Sequence, residues 1–216
     1  MNLIAKGDKA YPRRLIDLLG SNAPESISAL GNIAILEQPA LGLFCSIKCP
    51  GSIILQTYDL MCELREAGVP VIGGFHSPME QECLRLLLRG KQPVTICPAR
   101  NIPKRIPADW KKPLEEGRLL ILSPFAEKHH RITAQLAQER NLFVAALASK
   151  ILIAYASPGG KTAQFARQVL EWGKPIFTLS IEHNQCLIDL GAFPTGLNLL
   201  TIDPATNLKT LGSLGR

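Results

Sequence analysis

The stretch 136–179, LAQERNLFVAALASKILIAYASPGGKTAQFARQVLEWGKPIFTL, decides the fold. A helical segment carrying Glu139-Arg140-Asn141 leads into an apolar run of strand length at 151–156. The turn Ser157-Pro158-Gly159-Gly160-Lys161-Thr162 follows, then a second helix with Ala163, Ala166, Val169 and Leu170 on one face, Gly173 at its end, and a second apolar run at 175–179. Helix, strand, glycine turn, helix and strand make a βαβ unit. Its turn exposes backbone N–H groups at a helix N-terminus, where phosphate is held. The ligand such a unit suits is an anion: a nucleotide or a nucleic-acid backbone.

The same alternation extends outward. Further strand-length apolar runs occur at 40–46, 69–74, 93–97 and 119–123, with helical segments in most of the gaps. Ile53, Ile54, Tyr58, Met61, Leu64 and Arg65 are spaced as one helix face before Gly68, and Cys83, Leu84, Leu87 and Leu88 as another before Gly90. Strands alternating with amphipathic helices predict an α/β, doubly wound, mainly parallel sheet of extended Rossmann-like form. Residues 1–39 read as a lead-in packed on that core, 40–204 as the Rossmann-like domain, and 205–216 as a flexible tail. The stretch 99–112, with Arg100, Lys104, Arg105, Lys111 and Lys112 among prolines, reads as an irregular basic loop.

With 216 residues, 46% of them hydrophobic, the chain can bury a full core. The formal charge of +6 permits a polyanionic partner without requiring one. No apolar run approaches the ~20 residues that cross a bilayer, and the N-terminus has no apolar signal core, so a cytoplasmic protein with no membrane partner is expected. Cys45, Cys49, Cys62, Cys83, Cys97 and Cys186 are scattered. Cys45 and Cys49 have no second pair to complete a tetrahedral site, so neither a metal nor a cofactor is expected.

Several segments taken in order resemble the DprA/Smf family of DNA-processing proteins. They are Tyr11-Pro12, Leu30-Gly31-Asn32, the run 41–45, Val71-Ile72-Gly73-Gly74-Phe75, Glu80, the runs 93–98 and 117–124, Glu139-Arg140-Asn141, the turn from Ser157 to Ala163, and Gly191-Ala192. The resemblance spans residues 10–196 and rests on order and spacing. It implies a Rossmann-like core that binds single-stranded DNA in DNA uptake, natural transformation and recombination. It also implies a homodimer and a RecA-type recombinase as partner. The first turn departs from the family pattern: Cys45-Ser46-Ile47-Lys48-Cys49-Pro50-Gly51-Ser52 has Lys48 but no arginine, and an ammonium lacks the bidentate fork of a guanidinium. Leu142 stands where the family has a second arginine after Asn141.

Residues 158–162 also partly resemble the turn of LOG-type nucleotide phosphoribohydrolases. The glutamate that branch uses after the threonine is replaced by Ala163-Gln164-Phe165-Ala166. A nucleotide-binding sensor or LOG-like nucleotide-processing enzyme therefore stands as the alternative, with no catalytic residue assigned, and a scaffold with a degenerate cleft as a third reading.

Ligands of open parallel sheets bind where the strands end. The loops 46–52, 73–80, 99–105 and 157–162 leave those ends. They supply Ser46, Lys48, Gly51, Ser52, Gly73, Gly74, His76, Glu80, Arg100, Gly159, Gly160, Lys161 and Thr162 as ligand or phosphate contacts, with Arg140 and Asn141 as a clamp from the helix before. Ser77-Pro78 with Glu80 is also a helix start: N-cap, first-turn proline and capping-box acid. Both roles stay open for Glu80 and His76. Lys128-His129-His130-Arg131 reads as a solvated face or part of a nucleic-acid track. Few aromatics are free to stack on bases, Phe75, Trp110 and Phe125 being the candidates, so phosphate contacts should dominate.

Overall fold

A computed structural model of the chain describes residues 1–126 and 131–195, and each apolar run expected to be a strand is one. The strands are β1 (Asn2–Ala5), β2 (Ser26–Gly31), β3 (Leu41–Cys45), β4 (Val71–Gly73), β5 (Val94–Ile96), β6 (Leu119–Ser123), β7 (Lys150–Tyr155), β8 (Ile176–Leu179) and β9 (Phe193–Thr195). They form one sheet in the order β1-β2-β6-β5-β4-β3-β7-β8-β9. From β6 to β9 every neighbouring pair is parallel, whereas β1 and β2 add antiparallel at the β6 edge.

The helices are α1 (Arg13–Leu19), α2 (Gly51–Glu66), α3 (Pro78–Leu87), α4 (Ala108–Glu115), α5 (Ala134–Leu147), α6 (Lys161–Glu171) and α7 (Gln185–Asp189). Leu15, Phe143, Val144, Ala166, Val169 and Leu187 from α1, α5, α6 and α7 share one core with Phe44, Ile72, Ile151 and Ile153. Ile53, Met61, Leu64, Cys83 and Leu87 from α2 and α3 share the other with Leu43, Val71, Leu152, Ala154 and Phe177. Successive strand residues point to opposite faces, so β7 must be apolar at both parities, which is why its sequence is a continuous run. Each large side chain buried as fully as Phe143 contributes about 1.5–3 kcal/mol. Lys174, after α6, donates from Nζ to the carbonyls of Ala145, Ala146 and Ala148 at 2.6, 3.2 and 2.6 Å, satisfying the open C-terminal end of α5.

Three expectations need correction. The lead-in does more than pack on the core: β1 and β2 are strands of the sheet, tied to β6 through Gly31, whose φ of 111° and close approach to the Leu119 carbonyl leave no room for a side chain. The basic stretch after β5 is irregular only as far as Pro107, which is the N-cap of α4. Its prolines obscured a helix because Pro107 precedes the first turn. The chain also re-enters the sheet as β9. On α2 the buried face is Ile53, Thr57, Leu60, Met61 and Leu64. Ile54 and Tyr58, expected inside, are 43% and 46% exposed, and Leu55 is 70% exposed. Residues 128–130, and the chain beyond Thr195 including the expected tail, lie outside the described residues.

Candidate functional site

After β3 the chain steps outward to β4, β5 and β6 and then returns to place β7 on the other side of β3. The switch in strand order therefore falls between β3 and β7, and the loops leaving those strands flank the crevice. Ser46 joins them. Its backbone N–H donates to the Tyr155 carbonyl at 2.9 Å, and its Oγ accepts from the Ser157 N–H at 3.1 Å and donates to Thr162 Oγ1 at 3.0 Å. These bonds bring together residues more than a hundred positions apart, the first turn and the glycine turn.

Two helices start at this crevice. α2 opens at Gly51 behind Pro50, and α6 at Lys161 behind Gly160, and neither N-cap supplies a side-chain hydrogen bond to the first-turn N–H groups. Those N–H groups and the positive ends of the two helix dipoles face the crevice. Gly159 has φ of 68°, and a Cβ on Gly160 would stand 2.9 Å from the Ser157 carbonyl oxygen, so both glycines are required by the turn. Lys48, Ser52 and Lys161 are exposed, and Thr162 is half-buried. Gln164, which the sequence reading missed, donates to the Gly159 carbonyl at 3.4 Å across the same turn.

Beneath the crevice lies a buried carboxylate. Glu80 accepts from the Cys45 N–H at 2.9 Å with Oε1 and from the His76 N–H at 2.8 Å with Oε2. The Ser77 hydroxyl caps the Glu80 N–H at 3.2 Å. Glu80 is 6% exposed, its carboxylate turned to these backbone N–H groups. It pins the end of β3 to the turn after β4 as well as starting α3. Burial raises its pKa, opposed first by the Arg140 charge and then by the N–H groups of His76, Cys45 and Ser77.

Arg140 is a correction. Expected as a phosphate clamp, it is 4% exposed. Nη1 donates to the Cys97 carbonyl at 3.1 Å and Nε to Asn141 Oδ1 at 2.8 Å. Burial lowers its pKa while Glu80 raises it. Gly74 lies against this guanidinium, and a Cβ there would fall 1.5 Å from Nη1. Arg140 and Asn141 therefore hold the turn after β4 against α5 and the end of β5, and Gly74 is glycine because the guanidinium occupies the space. Burial also pushes the Cys97 thiol up to about 12, with Arg140 opposing. Cys45 and Cys83, buried beside Glu80, are raised too, which keeps them inert as thiols.

The other expected residues divide by accessibility. His76 and Arg100 are exposed, and the Arg100 carbonyl accepts from Ser123 Oγ at 2.8 Å. Gly73 is buried within β4. Phe75, with φ of 47°, and Phe125 are 6% and 7% exposed, and Trp110 packs against the α2/α3 core, so the expected stacking aromatics face inward. Arg131 is exposed. Among the described residues no group of three or more His, Cys, Asp or Glu could hold a metal, and no helix is long and apolar enough to cross a membrane. Cavities of about 250 and 550 Å³ are lined by no residue of the four loops. What the strand ends present is an open shelf of exposed Lys48, His76, Arg100 and Lys161, two helix N-termini and hydroxyls, with the Glu80 carboxylate buried below.

Residues 2–189 match the sequence model of the DNA recombination-mediator protein A family. Comparison with curated protein sequences gives no match. Among solved structures, DNA processing protein A of Streptococcus pneumoniae is similar with a TM-score of 0.76 and 16% identity, over 94% of this chain and 74% of that one. DNA processing protein A of Helicobacter pylori, described for its single-stranded DNA binding mode, is similar with a TM-score of 0.71 and 18% identity, over 98% and 95%. A molybdenum cofactor binding protein of Rippkaea orientalis reaches a TM-score of 0.52 at 9% identity, over 82% of this chain and 97% of that one. At these identities the likeness is one of fold.

Proposed function

Because the chain belongs to the DNA recombination-mediator protein A family, we propose that it binds single-stranded DNA along the shelf between β3 and β7, as a DNA-processing protein of uptake and recombination and without chemistry of its own. The observation that carries the proposal is the Ser46 junction. By joining the first turn to the glycine turn, it sets the N-termini of α2 and α6, with Lys48 and Lys161, side by side at the strand-order switch.

Two helix ends and two ammonium groups suit successive phosphates of a backbone. With Arg140 buried, the charge beside the two helix N-termini is carried by Lys48 and Lys161, which favours contacts indifferent to sequence and sensitive to salt. The H. pylori protein's single-stranded DNA binding, on the same fold, supports this choice of ligand. A RecA-type partner and assembly as a homodimer belong to the same reading.

Fluorescence anisotropy with a labelled single strand across a salt series tests it, using duplex and mononucleotide as competitors. Log-linear loss of affinity with salt and resistance to mononucleotide are expected. Displacement by one mononucleotide would instead establish the nucleotide-sensor alternative.

A further inference from the structure

The charge of the chain is unevenly placed. Between Arg85 and Arg118 stand nine Lys or Arg and three Asp or Glu, a surplus of six that equals the formal +6 of the whole chain, so the rest of the sequence is balanced. Arg85, Lys112 and Arg118 are paired with Glu82 and Glu116. Arg89, Lys91, Arg100, Lys104, Arg105 and Lys111 are exposed and, among the described residues, have no ion-pair partner. The fold lines these cations up. α3 and α4 are successive crossovers, from β4 to β5 and from β5 to β6, and both pack on one core through Cys83, Leu87, Trp110 and Leu114, so they lie side by side on one face of the sheet. Arg100, Lys104 and Arg105 leave the end of β5 at the shelf, and Lys111 stands on α4. Arg89 and Lys91 follow α3 at the opposite edge of the sheet, where the Arg118 guanidinium donates to the Leu88 carbonyl at 2.8 Å.

A protein partner would need apolar anchors on this flank, and none of the large exposed hydrophobic residues lies between Arg85 and Arg118. Unpaired charge without an apolar centre suits phosphates. We propose that a single strand leaving the shelf past Arg100 continues down the flank of α3 and α4 towards Arg89 and Lys91, so that the nucleotides beyond the shelf are held by these cations alone. The inference rests on the shelf binding single-stranded DNA. With 10 residues, α3 is about 15 Å long, a descent of about four nucleotides at the ~3.4 Å spacing of charges along a stacked strand.

Anisotropy of the full chain with labelled thymidine strands of about six and about twenty nucleotides separates the shelf from the flank. Each phosphate neutralised adds about 0.7 to the salt slope of a single strand, so the longer strand should show a slope steeper by about 2. In the variant Arg89→Ala/Lys91→Ala/Lys104→Ala/Arg105→Ala that excess should vanish, and affinity for the longer strand should fall at least about tenfold at about 0.1 M salt. Binding of the shorter strand, circular dichroism and thermal midpoint should not change. Equal wild-type slopes for the two strands, or a variant that binds the longer strand as wild type does, would overturn the flank and leave the shelf standing. Binding of neither strand would overturn both. A longer strand lost in the variant yet indifferent to Lys48→Ala/Lys161→Ala would make the flank a separate site and refute the continuous path.

Discussion

Replacing Gly74 by alanine tests whether the Arg140 guanidinium is the buried strut on which the turn after β4 is built. The added Cβ would stand 1.5 Å from Nη1, 1.9 Å from Cζ and 2.5 Å from Nε, so the guanidinium must leave its place. Leaving breaks the 3.1 Å bond to the Cys97 carbonyl and removes the cation that opposes the desolvation of Glu80. A hydrogen bond to a charged group contributes about 1.5–3 kcal/mol, and stripping one partner from a buried charge pair costs about 3–5 kcal/mol. Both describe one displacement and overlap, and part of the loss is recovered if the arginine swings to solvent. The net destabilisation expected is therefore about 3 kcal/mol. Urea unfolding followed by circular dichroism and tryptophan fluorescence measures it in wild type and in an Arg140→Ala background. In the second background the space is empty, and Gly74→Ala should cost less than about 1 kcal/mol, leaving a coupling of about 2 kcal/mol. Equal costs in the two backgrounds would show that the glycine is needed for some other reason and would refute the strut.

Other expected outcomes follow from the same contacts. In Arg140→Ala the pKa of Glu80 rises further; because a carboxyl raised on folding holds its proton more tightly in the folded state, stability falls as pH rises from the unfolded value through the folded one. Lowering pH from neutrality towards about 4.5 should therefore narrow the stability gap to wild type, seen as converging urea midpoints, and a constant gap would contradict the assignment. Ser46→Ala leaves the Ser157 N–H without its acceptor and should cost about 1–2 kcal/mol in urea unfolding while weakening single-strand binding. Lys161→Ala and Lys48→Ala should each lower the salt slope by about 0.7 and single-strand affinity about fivefold at about 0.1 M salt, with unfolding unchanged; an unaltered slope in both would remove the shelf as the phosphate site. Gly31→Ala, which forces a Cβ to 2.2 Å from the Leu119 carbonyl oxygen, should destabilise by roughly 3 kcal/mol or more, since the neighbour is backbone of β6 and cannot yield as a flexible side chain would.

The parallel core was legible because its strands are buried on both faces and so cannot alternate. Runs such as 151–156 and 119–123 admit few other readings. The lead-in strands were not, since β2 is half-buried, with a burial pattern of alternating intermediate and buried positions, and β1 has a single buried residue, Ile4. The α2 face was misjudged at Ile54 and Tyr58, whose apolar surface resembles that of the residues that do pack inside. Composition cannot distinguish a side chain facing the core from one facing solvent. Among candidate site residues, the glycine turn and its lysine stood out through local backbone demands. Arg140 was recognised as consequential from its place in an Arg-Asn pair, but its work is turned inward.

The sequence by itself determined what depends on near neighbours: the βαβ periodicity, the helix start at Ser77-Pro78, and the Ser157–Thr162 turn that only two glycines can make. Each rests on sterics and hydrogen bonds within a few residues. The tertiary structure alone decided what depends on distant segments meeting, namely that Ser46 would find Thr162, that Glu80 would collect the N–H of Cys45, and that Arg140 would fill the space at Gly74. Such contacts follow from strand order, and strand order is set by the packing of whole faces rather than by any local preference of the residues that meet.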